Sequence, residues 1–79
     1  METLKFKKGE EFQYEAKITI NGDFYEFGIH SGTSNYWGIN IYKNGLPIFF
    51  DGYNQSTKKS WVHFANCFAS DLIESKKNN

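Results

Sequence analysis

The chain contains no arginine, a single proline (Pro47), a single cysteine (Cys67) and no apolar run approaching the ~20 residues that cross a bilayer. Without arginine it lacks the side chain best suited to bidentate phosphate and guanine contacts. Nine lysines are matched by nine acidic residues, so no global field draws in polyanions. One cysteine has no internal partner for a disulfide, and Met1–Lys8 lacks the apolar stretch of a signal peptide. The expected setting is therefore a reducing cytoplasm, and the sequon Asn54-Gln55-Ser56 is read as chance. There is no phosphate-binding glycine motif, metal-ligand signature or nucleophile elbow. No catalytic residue, metal or cofactor is expected, and no membrane association. At 79 residues the chain has room for one domain, spanning 1–79.

Aromatic side chains are abundant, at 19% of the chain, enough to build a core at this length. Residues 11–20 alternate strictly, with Phe12, Tyr14, Ala16, Ile18 and Ile20 on one side and Gln13, Glu15, Lys17 and Thr19 on the other, as in a half-buried strand. Asn21-Gly22 follows, a turn dipeptide that accepts positive φ at both positions. A second strand over 24–30, the loop 31–35, a third strand over 36–43, a second Asn-Gly at 44–45 and a fourth strand over 46–50 complete a meander. Pro47 cannot donate to a ladder, which places the last strand at an edge.

A slip of one residue turns every side chain over, so the registers test one another. The first turn pairs Ile18 with Tyr25 and Ala16 with Phe27. The loop is expected to pair His30 with Tyr36 and Phe27 with Ile39, and the second turn Ile41 with Ile48 and Ile39 with Phe50. These closures put the large apolar residues on a common face and set Lys17 opposite Glu26 and Asp23 opposite Lys43. After Ser56 or Thr57 as cap, a helix to about Lys76 carries Trp61, Ala65, Phe68 and Leu72 at helical spacing, with His63, Asn66, Ser70 and Glu74 opposite. The fold class that follows is α+β: an antiparallel four-stranded meander with one C-terminal helix packed on one face. Residues 1–8 are either an arm or, through the alternation at 3–7, a fifth edge strand; the tail 77–79 should fray.

One helix covers one face, so the other is the candidate functional surface. The expected registers place there Phe24 opposite Tyr42, Phe49 diagonal to it, the pair Gly28 and Gly38, and His30 opposite Tyr36. Phe24, His30, Tyr36, Tyr42 and Phe49 are the candidate partner-binding residues, because aromatic anchors are where interface energy concentrates. Lys58 and Lys59 oppose the dipole at the helix start and are candidate anion contacts. Cys67 and His63 lie four apart on the helix, a spacing that permits contact, but no third group is in view to make a catalytic set.

Strands followed by one helix are also the order in sheet-reading DNA-binding domains of the integrase arm-binding type, which this chain resembles in outline. The missing arginine, and Glu15 and Glu26 beside Lys17 on the outer face, count against duplex reading. Stacking of single-stranded nucleic acid on the aromatic face is the second expectation. Lys, Asn, Ile, Phe and Tyr, residues with AT-rich codons, fill nearly half the chain. In size, this composition and simple α+β make-up, the chain resembles the small phage proteins that block host defence, the anti-CRISPR proteins among them. That resemblance implies a non-enzymatic inhibitor, monomeric or homodimeric, occupying a surface of a larger protein complex in a bacterial cytoplasm.

Overall fold

The computed structural model describes residues 4–33 and 35–77. Five strands, β1 (Lys7–Lys8), β2 (Tyr14–Ile20), β3 (Asp23–Ser31), β4 (Trp37–Lys43) and β5 (Leu46–Tyr53), form one antiparallel sheet in sequence order, followed by helix α1 (Lys58–Lys77). The expected α+β meander is thus the fold, with the fifth strand reduced to two residues. Of the remaining expectations for the termini, residues 1–3 and 78–79 lie outside the described residues.

The core lies between the sheet and α1. Ala16, Ile20, Tyr25, Phe27, Ile29, Ile39 and Ile41 face Trp61, Ala65 and Ala69, and all are buried. Alternation on the strands and the three-to-four spacing on the helix dictate this match. Thr57 caps α1: its Oγ1 accepts from the Ser60 N–H (3.1 Å), and Ser60 Oγ accepts from the Thr57 N–H (3.3 Å). Ser56, the other candidate cap, is buried instead, its hydroxyl near the carbonyls of Trp37 and Tyr53 while accepting from the Trp61 indole N–H. Asn66 does not lie on the solvent side as its spacing implied. Its Oδ1 accepts from the Leu4 N–H at 2.7 Å, so Leu4 is buried against the helix. The arm from Leu4 therefore runs on the core side, not over the opposite face.

The β2–β3 register is the expected one, Ile20↔Asp23 through Tyr14↔Ile29, with Lys17 opposite Glu26. The β3–β4 register is displaced by two residues: His30 faces Gly38 rather than Tyr36, Phe27 faces Ile41, and Tyr42 faces Glu26 rather than Phe24. β3 runs to Ser31, one residue beyond the expected end, and there Gln13 Oε1 accepts from both the N–H and the hydroxyl of Ser31. A shift of two keeps every side chain on its face. Lys43 now lies opposite Tyr25, although its ammonium still meets Asp23 at 3.8 Å.

The β4–β5 pairing departs more deeply. Lys43↔Leu46 and Tyr42↔Pro47 follow from the turn, but Ile41 then pairs with Phe49, leaving Ile48 as a bulge. From there the strand is turned over. Phe49, Asp51 and Tyr53 share the helix side, while Phe50 and Gly52 lie opposite Asn40 and Gly38 on the outer side. Phe49, expected among the outer aromatic residues, stacks on Phe64 (ring centroids 5.4 Å), and Phe50, expected inside, is 81% exposed.

Candidate functional site

The outer face carries Glu15, Lys17 and Thr19 from β2, Phe24, Glu26, Gly28 and His30 from β3, Gly38, Asn40 and Tyr42 from β4, and Phe50 and Gly52 from β5. Four aromatic rings run across it in a chain: Tyr36 to His30 at 6.1 Å, His30 to Phe12 at 6.1 Å, Phe12 to Tyr42 at 6.2 Å. Beneath them lie three glycines. A Cβ on Gly28 would overlap the Phe12 ring, one on Gly38 would meet the His30 ring, and one on Gly52 would overlap the Tyr36 hydroxyl. Phe12, His30 and Tyr36 therefore lie down in slots that glycine leaves open, and all four rings are half-buried. Phe12 was expected on the core side as part of a strand beginning at Glu11. Instead residues 10–13 bend, the Glu15 carboxylate accepts from the Phe12 N–H (3.3 Å), and the ring folds onto Gly28.

Of the expected anchors, the structure brings His30, Tyr36 and Tyr42 into this layer, where His30 and Tyr36 cover backbone at Gly38 and Gly52. Phe24 stands apart near the second turn, its N–H donating to Asn44 Oδ1. Phe49 is on the other side of the sheet. His30 Nδ1 is buried without a hydrogen-bond partner among the described residues. A depression of about 250 Å³ beside Phe12 and Tyr42 is rimmed by Glu11, Glu15 and Glu26 against Lys17, an acidic surround for a would-be polyanion. At the helix start, the Lys58 ammonium sits 3.7 Å from the centroid of the Tyr14 ring, a cation–π contact, and Lys59 is exposed.

The surface that sequence reasoning missed is β5. Among the described residues the large apolar side chains left exposed are Leu46, Ile48, Phe50 and Tyr53, all on β5, and Phe24. Among the described residues β5 is also an edge, with β4 as its one neighbour. The Gln55 N–H bonds the Asn35 carbonyl at 3.0 Å, which fixes the odd-numbered residues of this pair as those bonded across the ladder. The backbone groups of Phe50 and Gly52 consequently point to the open edge. Asp51 Oδ1 takes the Gly52 N–H at 2.8 Å, leaving the Phe50 N–H and carbonyl as the unguarded pair. Pro47 beside an expected edge was the available signal; the bulge that exposes Phe50 had none.

Between β5 and α1 lies a cleft of about 370 Å³ lined by Asp51, Tyr53, Ser60, Trp61, His63, Phe64 and Cys67. Cys67 Sγ and His63 Nε2 are 3.5 Å apart on its helix wall, so the pair anticipated from spacing is in contact, and both residues are exposed. No group of three or more His, Cys, Asp or Glu side chains placed to hold a metal ion occurs among the described residues, and none of their helices is long and apolar enough to cross a membrane. No protein-family model, curated protein or solved structure matches this chain.

Proposed function

We propose that the protein is a non-enzymatic protein-binding module that acts by stoichiometric occupation of a partner, with the β5 edge as its contact surface. The carrying observation is the concentration of Leu46, Ile48, Phe50 and Tyr53 as exposed apolar side chains on an edge strand whose Phe50 backbone groups face outward. Pairing of a partner strand there satisfies those groups, and apolar side chains on either side of it supply the burial. An isolated exposed apolar residue is ordinary, whereas a row of them along one unpaired edge is what folds otherwise avoid. Blocking a surface on a host defence complex, the role the resemblance to phage inhibitors implies, is one form this binding takes.

The test is capture from bacterial lysate, with and without nuclease, using the parent protein, Phe50→Ser and Tyr42→Ser. A stoichiometric protein that survives nuclease, is lost with Phe50→Ser and is retained with Tyr42→Ser is the expected outcome. Capture that disappears with nuclease and falls steeply as salt rises turns the reading to single-stranded nucleic acid. Loss with Tyr42→Ser at an unchanged melting temperature moves the surface to the outer face. Light scattering on the isolated protein distinguishes a second copy as the occupant of β5.

A further inference from the structure

Taking β5 as the contact surface proposed above, we infer that its resting occupant is the β5 strand of a second copy of this chain, in an antiparallel two-fold pair centred on Phe50. Phe50 is the residue of this edge whose N–H and carbonyl both stand open, since Asp51 Oδ1 holds the Gly52 N–H at 2.8 Å and Ile48 lies in the bulge. In an antiparallel ladder two directly opposed residues exchange both backbone bonds, and a residue on a two-fold axis exchanges them with its own copy. A contact centred on Phe50 therefore satisfies both open groups on each chain and sets the two rings side by side on the outer face.

Charge and edge chemistry select this pairing over its alternatives. A centre at Asp51 sets two carboxylates opposite each other, whereas a centre at Phe50 sets each Asp51 opposite a Phe49. The sheet's other edge, β1, is two residues long, and both are exposed lysines, which guard it against strand addition. Head-to-tail stacking of β5 on β1 is thereby disfavoured, and the pairing closes at two copies. Nine lysines against nine acidic residues let two chains meet without net repulsion. Area sets the strength of the contact. Leu46, Ile48, Phe50 and Tyr53 are 68, 46, 81 and 55% exposed. At about 200 Å² for a residue of this size, they offer roughly 500 Å² per copy and roughly 1,000 Å² per pair, the lower bound of a specific interface. The pair is consequently reversible, and a foreign strand can displace one copy.

Untagged full-length protein is followed by sedimentation equilibrium from low micromolar to millimolar concentration. The mass should rise from one chain to two and stop there. Phe50→Ser should raise the dissociation constant by at least ~30-fold, as truncation of a central aromatic anchor does, while Tyr42→Ser leaves it unchanged. In a mixture of isotope-labelled and unlabelled chains, nuclear Overhauser effects between copies should join the α-protons of Phe49 and Asp51, whose Cα atoms lie about 4.5 Å apart across such a pair. A mass of one chain throughout, a mass growing past two, a dimer unaffected by Phe50→Ser, or a dimer without the 49–51 contacts overturns the pair. Lysate capture distinguishes the two occupants. Phe50-dependent capture by a chain that stays monomeric keeps β5 as the contact surface and removes the second copy. A Phe50-dependent dimer with no Phe50-dependent capture keeps the second copy and removes the foreign partner.

Discussion

Two hairpins in this sheet close on the same dipeptide and end differently. At Asn21-Gly22 and at Asn44-Gly45 the backbone angles are nearly identical, φ 53 and 87 in the first, 52 and 85 in the second. The first hairpin runs through seven uninterrupted pairs. The second is regular for two pairs and then inserts Ile48. A turn sets how a ladder starts; what the strands meet further along decides whether it continues. Without the bulge, Ile48 and Phe50 would have faced α1. With it, Phe49 stacks on Phe64, Tyr53 lies 5.5 Å from Trp61, and Gly52 comes under Tyr36. Aromatic pairs of this kind contribute about 0.5–1.5 kcal/mol each beyond burial. The bulge is thus favoured by contacts distant from the turn, and its consequence is the exposure of Phe50.

The largest expected effects contrast residues one position apart. Phe27→Ala, fully buried in the regular hairpin, should destabilise by about 3–5 kcal/mol in denaturant melts. Phe49→Ala should lose about 2–3 kcal/mol, less because the ring is only half-buried. Phe50→Ala should stay within about 0.5 kcal/mol of the parent, as exposed positions do. Comparable losses at 49 and 50 would mean that the turned-over strand is not the state in solution.

A smaller effect separates the two turns themselves. Asn44 is tied to the start of β3: its N–H donates to the Phe24 carbonyl (2.7 Å), its Oδ1 accepts from the Phe24 N–H (2.9 Å), and its Nδ2 donates to Asp23 Oδ1 (3.1 Å). Asn21 has no such side-chain bonds among the described residues. Each asparagine holds a left-handed conformation that alanine adopts at a penalty of about 1–2 kcal/mol. Asn44→Ala should therefore be more destabilising than Asn21→Ala by a further ~1 kcal/mol, the net worth of a typical hydrogen bond. Equal melting temperatures for the two variants would show that the link from Asn44 to β3 carries no stability.

How much of this was legible follows the same division. Strict alternation in residues 14–20, with Tyr25, Phe27 and Ile29 at alternate positions opposite, leaves one register open to the first hairpin, and the helix stripe one way to dock. The β3–β4 shift escaped detection because a displacement of two preserves every face, and the bonds that accompany it include those of Ser31 to Gln13, 18 positions away. Phe12 continues the alternation of β2 in sequence, yet Glu15 bends the chain and places the ring on Gly28. Outer-face glycines at 28, 38 and 52 were the readable trace of rings lying over them. For the candidate surface, three of the five expected anchors share the outer layer, two of them, His30 and Tyr36, as cover for backbone. Pro47 marked β5 as an edge, but its exposed apolar row became visible only once the bulge was known. The His63–Cys67 contact was readable from spacing alone, since on an uninterrupted helix four residues is a distance.

A further small effect bears on the bulge directly. Deleting Ile48 removes the extra residue, so that Lys43↔Leu46, Tyr42↔Pro47 and Ile41↔Phe49 become three consecutive regular pairs. Everything beyond keeps its side: Phe49 still on Phe64, Tyr53 on Trp61, Gly52 beneath Tyr36. The change discards one exposed isoleucine and the local twist of the bulge, and regains ladder continuity. These oppose one another, and stability should remain within about 1 kcal/mol of the parent, the range of a surface change that leaves the core alone. Cross-strand contacts between residues 41 and 49, read by nuclear Overhauser effects, should persist. A deletion that instead unfolds the protein, or turns Phe49 to solvent, would show that the extra residue is needed to bring the Phe49 ring onto Phe64. The second hairpin would then depend on its irregularity as firmly as the first depends on its regular pairing.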